Sequence, residues 1–222
     1  MALENDLEID NLPNRLTIFR VILIPIVIAS LFIIKIDFLT PFHSDLGWIA
    51  AWTFSIASIT DFFDGYIARK RNIVTVFGSF LDPIADKFLT VSSLIMLQAL
   101  DRIPAILVII LVLREMYMTS LRLLATNEGI QVPVSQWGKW KTALMMIGIP
   151  MLMANEEWWI FPFPIMGIIF IYLAAFLSLW SAVQYSMSMV AKLKLSRIER
   201  KEKKEKKNLK ANHEEQPSSH NS

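Results

Sequence analysis

The feature that most limits how this chain can fold is a series of apolar runs, most of them about 20 residues long, separated by short charged segments. A run of that length crosses the roughly 30 Å hydrocarbon core of a bilayer as one helix. In hydrocarbon a backbone must satisfy its own hydrogen bonds, so a spanning segment is a helix or part of a closed barrel. The runs lie at about 21–34, 47–68, 80–100, 103–125, 139–154 and 160–190. We therefore expect an all-α integral membrane protein with six transmembrane helices. An amphipathic start, Asn14-Arg15-Leu16-Thr17-Ile18-Phe19-Arg20, leads into the first span, and Pro25 inside it is tolerated in a membrane helix. The sixth run is long enough to tilt or to emerge from the membrane as a helix.

Composition agrees with this reading. The 222 residues are 54% hydrophobic, more than a soluble domain with alternating polar faces would carry. There is no cysteine, so no disulfide framework or thiolate metal site can form. His43, His213 and His220 fall in a loop and the tail, which argues against zinc and histidine chemistry. No nucleic-acid partner is expected. Three regions follow: a polar segment 1–13 without the layout of a signal peptide, a six-helix membrane domain 14–191, and a charged tail 192–222 expected to fray from helix into disorder.

The net charge of +2 conceals an asymmetry. Six spans put both termini on one side, together with Arg15, Arg20, the basic turn Arg69-Lys70-Arg71, Lys139, Lys141 and the Lys-rich tail. The other side has Lys35 and Arg102 near span ends, beside the aromatic segment Asn155-Glu156-Glu157-Trp158-Trp159. The positive-inside rule then predicts cytoplasmic termini in an inner (cytoplasmic) membrane.

Four carboxylates lie at or within the second and third spans: Asp61, Asp64, Asp82 and Asp86. Each costs free energy there unless paired or coordinated. At about 100° per residue, Asp61 and Asp64 are roughly 60° apart on one helix face, and Asp82 and Asp86 roughly 40° apart on another. Two helices joining these faces would form an all-oxygen cage suited to Mg²⁺ or Mn²⁺. A structural alternative stays open. Asp82 before Pro83 suits an N-cap, and Asp61 or Asp64 could pair with Arg69 or Arg71. Gly65, Ala68 and Gly78 are small enough for a ligand to approach the backbone, or simply for helices to pack closely.

The pattern D-x2-D-G-x2-A-R-x8-G-x3-D-x3-D, from Asp61 to Asp86, resembles the signature of the CDP-alcohol phosphotransferase family at every fixed position and gap. That resemblance implies the family's membrane fold. It also implies an activity, the joining of a CDP-linked lipid to an alcohol as a phosphodiester with release of CMP. Asp61, Asp64, Asp82 and Asp86 would hold two divalent ions, Mg²⁺ or Mn²⁺, and Asp86 would also take the alcohol proton. Asn14, Thr17, Asp61, Gly65, Ala68, Arg69 and Gly78 would contact the CDP-lipid. A homodimer is implied on the same ground.

Further segments, Asn11 to Arg20, Asp82 to Lys87, Leu113-Arg114-Glu115 through Ser120-Leu121-Arg122, and Gly138 to Thr142, resemble bacterial members of the family that use CDP-diacylglycerol and glycerol 3-phosphate. An acceptor of that kind needs a phosphate pocket. Arg20, Arg114, Arg122, Lys139 and Lys141 would supply it through charge-assisted hydrogen bonds. Arg114 could instead pair with Glu115, and the two lysines could be ordinary positive-inside residues. Other members of the family take inositol phosphate, serine or phosphatidylglycerol. A reading of another class, a divalent-cation transporter or channel, also uses intramembrane carboxylates. Clustering at one face beside basic residues counts against a path through the midplane.

Overall fold

A computed structural model describes residues 12–36, 41–71, 76–129, 136–158 and 161–214. Among the described residues the chain forms six helices: α1 (Leu12–Ile34), α2 (His43–Arg71), α3 (Val76–Ala99), α4 (Ala105–Asn127), α5 (Gln136–Ala154) and α6 (Phe163–Glu214). Two short strands, β1 (Glu157–Trp158) and β2 (Phe161–Pro162), pair antiparallel between α5 and α6. Each apolar run of the sequence falls within one helix or largely overlaps it. Helix α6 is continuous through Lys192, where the sequence turns from apolar to charged. Glu and Lys spaced three or four apart support a helix beyond the last apolar residue.

The helix ends follow from local chemistry. At the end of α3, Arg102 N–H bonds the Leu97 carbonyl and Asp101 N–H bonds that of Gln98, both at 2.9 Å. This is the Schellman closure, and it places Asp101 at φ 57°, where glycine is usual. Pro104, extended at ψ 136°, precedes the first residue of α4 and has no N–H to leave unsatisfied. Gly129 at φ 69° follows α4, and Asn155 at φ 50° follows α5. Pro25 and Pro150 lie inside α1 and α5.

The helices pack α1 along α2 and α3, α2 along α5, α5 along α6, and α4 along α6. The core is built from Val27, Leu31, Phe54, Leu97, Ile149 and Ile171, with neighbours of similar kind. Where α5 meets α6 the backbones nearly touch. A Cβ on Gly148 would lie 3.2 Å from the Gly167 carbonyl oxygen. Such small-residue contacts replace the hydrophobic drive that hydrocarbon cannot provide.

The distribution of polarity is that of a protein facing hydrocarbon. Large apolar side chains are exposed along α1 (Phe19, Ile22), α4 (Leu113, Met116) and α6 (Phe176, Met187). Ser30, Ser58, Ser93, Arg114, Lys141, Ser178 and Ser181 are buried. An apolar exterior this extensive marks an interaction with lipid or protein. Two of the described helices are long and apolar enough to cross a membrane by length and composition, over Thr17–Ile34 and Phe163–Ile198, with mean hydropathy of 2.6 and 2.1 in their 18-residue windows. Helix α4 carries Arg114, Glu115 and Arg122 along its apolar length.

One end of the bundle is fastened by several contacts. Arg102 donates through Nη1 to the carbonyls of Leu152 (3.0 Å) and Met153 (2.6 Å), filling acceptors left open at the C-terminus of α5. Trp48 Nε1 and Ser44 Oγ both donate to the Glu156 carboxylate, the first at 2.7 Å. The Trp48 and Phe163 rings meet edge to face with centroids 6.0 Å apart. Gly47 packs so tightly on α5 that a Cβ would sit 2.7 Å from the Met153 carbonyl oxygen.

Candidate active site

Asp61, Asp64, Gly65, Ala68 and Arg69 occupy the last third of α2, while Gly78 and Asp82 lie in the first two turns of α3 and Asp86 one turn further on. Two successive helices thus carry the four carboxylates on the segments flanking their junction. The side chains from Asp61 to Arg71 and from Val76 to Pro83, and that of Asn14, lie outside the described residues. Among the described residues no cluster of three or more potential metal ligands occurs.

Asp86 is described. It is half-buried and lines a cavity of about 50 Å³, room for a few water molecules. Ser58, Lys87, Glu115, Lys141 and Thr142 share the wall, bringing together α2, α3, α4 and α5. Lys87 Nζ reaches across to Thr119 Oγ1 at 2.6 Å, tying α3 to α4. Thr17 and Arg20 are buried on α1, at 1% and 0% exposure, so neither is an interfacial anchor.

The expected phosphate-binding residues divide into two sets. Arg122 and Lys139 are exposed, whereas Arg20, Arg114 and Lys141 are buried. Lys141 Nζ donates to Glu115 Oε2 at 2.6 Å, and Arg114 Nη1 approaches the same oxygen at 3.2 Å. The Arg114 guanidinium then turns to α6, where Nε donates to the Ser178 carbonyl at 3.1 Å and Nη2 to Ser181 Oγ at 2.6 Å. Bonds of this charged kind each contribute about 1.5–3 kcal/mol. The pairing of Arg114 with Glu115, one of the two readings left open by the sequence, is present in the structure.

Sequence reasoning did not single out Glu115, Lys87, Ser178 or Ser181 as site residues. The signal for the serines was faint: two hydroxyls three residues apart on an otherwise apolar helix, hence on one face.

Residues 10–180 match the profile of the CDP-alcohol phosphatidyltransferase family. The chain belongs to this family. Its relatives are similar over most of their length. A protein of Rickettsia felis is 39% identical over 176 residues, 79% of this chain and 93% of its own. One of Haemophilus influenzae is 39% identical over 182 residues, covering 79% and 91%. One of Bacillus subtilis is 38% identical over 190 residues, covering 80% and 90%. All three bear the name CDP-diacylglycerol–glycerol-3-phosphate 3-phosphatidyltransferase. The family match covers α1 to α5 and the first part of α6, and it ends ahead of the charged segment.

Proposed function

We propose that this protein transfers the phosphatidyl group of CDP-diacylglycerol to sn-glycerol 3-phosphate, giving phosphatidylglycerophosphate and CMP. The observation that carries the reading is the similarity, across nearly the whole length of the relatives, to proteins named for that activity. The uninterrupted Asp61–Asp86 motif and the basic residues beside it support the same conclusion.

Asp61, Asp64, Asp82 and Asp86 fit a divalent-metal site, because their donors are all oxygen and their helical segments flank one junction. Two Mg²⁺ or Mn²⁺ ions held there would neutralise diphosphate charge and polarise the phosphorus under attack. Arg69 sits one turn beyond Gly65 on α2, suited to the diphosphate, with Gly65, Ala68 and Gly78 offering close backbone approach. Asn14 and Thr17 extend the CDP-lipid site along α1. Asp86 accepts the proton of the acceptor hydroxyl as that oxygen attacks the lipid-side phosphorus in line and CMP departs. Lys141 and Arg114, with Arg20, Arg122 and Lys139, supply positive charge for the acceptor phosphate.

We place all six helices across the inner membrane, with both termini and the aspartates at the cytoplasmic face, on the distribution of Lys and Arg. The chain comprises a polar segment 1–13, a membrane catalytic domain 14–191 and a charged tail 192–222, and the protein acts as a homodimer by analogy with its family. The test is CMP release from purified protein with CDP-diacylglycerol and Mg²⁺ or Mn²⁺, comparing glycerol 3-phosphate with inositol phosphate, serine and phosphatidylglycerol. Release with glycerol 3-phosphate supports the reading. Release with another acceptor alone overturns the substrate and keeps the family.

A further inference from the structure

We propose that Glu115 is a positioning residue for acceptor binding, holding the Lys141 ammonium in the wall of the cavity that contains Asp86. The inference rests on the function proposed above. Glu115 and Lys141 both line that cavity, and one oxygen, Oε2, joins them at 2.6 Å. They belong to different helices, α4 and α5, so this contact sets where a flexible four-carbon side chain places its charge. Lys141 has three N–H donors, of which Glu115 takes one. The others remain to serve an incoming phosphate oxygen.

Glu115 is itself anchored from behind. Arg114 contacts it at 3.2 Å and spends its remaining described bonds on Ser178 and Ser181 of α6, and it does not line the cavity. Arg114 therefore acts through Glu115 in this arrangement. A chain of contacts runs from α6 through Arg114 and Glu115 to Lys141, ending beside Asp86. Within the cavity two ammonium groups, Lys87 and Lys141, face two carboxylates, Glu115 and Asp86, so the wall carries no excess charge and a phosphate would be met by N–H donors held in fixed positions.

The experiment is steady-state kinetics of wild type, Glu115→Gln and Glu115→Asp, with each substrate varied in turn. Glutamine keeps the shape of glutamate and loses its charge; aspartate keeps the charge and shortens the reach. We expect KM for glycerol 3-phosphate to rise about tenfold in Glu115→Gln and by less in Glu115→Asp. KM for CDP-diacylglycerol should stay within about twofold. In a Lys141→Met background, Glu115→Gln should add nothing, because the two residues act as a unit. A packing role alone would lower active enzyme while leaving acceptor KM unchanged, and that result overturns the inference. So does an equal rise in both KM values. If Glu115→Gln does not fold, Glu115→Asp decides: unchanged acceptor KM overturns the inference, and a selective rise supports it. A folded wild-type protein inactive with glycerol 3-phosphate overturns the proposed function, and this inference with it.

Discussion

Gly148 on α5 and Gly167 on α6 face each other so closely that a Cβ on Gly167 would lie 3.1 Å from the Gly148 carbonyl oxygen and 2.8 Å from Leu152 Cγ. The backbone oxygen cannot yield without moving a helix. Gly167→Val is expected to separate α5 from α6 at a cost of about 1–3 kcal/mol. Thermal unfolding in detergent checks this, with Ile168→Val, a mild deletion at a half-buried neighbour, as the comparison.

Arg102 fastens the α3–α4 turn to the last carbonyls of α5. Arg102→Met keeps much of the side chain's length and removes both bonds, so we expect a loss of about 1.5–3 kcal/mol. Because this contact lies at the opposite end of the bundle from Asp86, the kcat of protein that remains folded should be unchanged at saturating divalent ion. A parallel measurement of melting temperature and CMP release separates the two effects.

Much of the architecture was legible because hydrocarbon restricts the choices. Apolar runs predicted the helices, and Asp101-Arg102 marked the turn between α3 and α4. Helix ends were less legible where sequence changes without breaking the backbone, as at Lys192 in α6. The aspartates stood out because charge in an apolar run is costly. Glu115 was visible only as the neighbour of Arg114, since its bond to Lys141 spans 26 residues and depends on the register of α5 against α4. Ser178 and Ser181 gave only a faint signal because serine is an ordinary helix-packing residue in membranes.

Removing the carboxylate charge at Asp86 should abolish turnover without unfolding the protein. Asp86→Asn is expected to lower CMP release by about 10²–10⁴-fold, the usual contribution of a proton acceptor. Stripping divalent cations with a chelator should silence the wild type as well, and adding back Mg²⁺ or Mn²⁺ should restore it. Activity surviving chelation would overturn the metal assignment.

The absence of cysteine allows a direct test of topology. Asp45→Cys and Lys206→Cys each introduce one thiol at an exposed position, near opposite ends of the bundle. With an impermeant maleimide on intact cells, Asp45→Cys should be labelled at once. Lys206→Cys should be labelled only after the membrane is opened. The reverse pattern would invert the proposed orientation.

Hydrogen bonds from Ser44 and then Trp48 hold the Glu156 carboxyl below its ordinary range. A folded-state value below the unfolded one stabilises the protein above about pH 4.3, the ordinary value for glutamate. That stabilisation disappears as pH falls from there through the folded value. Glu156→Gln should therefore lower the melting temperature at pH 7, and the difference from wild type should shrink as pH falls below about 4.3.

The contacts made by Gly47, Arg102, Trp48 and Glu156 all fasten one end of the bundle, and Asp86 lies 13 residues before the end of α3. At 1.5 Å per residue that is a lever arm of about 20 Å. A pivot of only about 3° at the fastened end would move Asp86 by about 1 Å, several times the roughly 0.2 Å tolerance of a metal–ligand distance. The bundle is in effect a pair of tweezers, in which tightness at the hinge governs the precision of the tips. Loosening a hinge residue far from the chemistry should therefore register first as weaker affinity for the divalent ion.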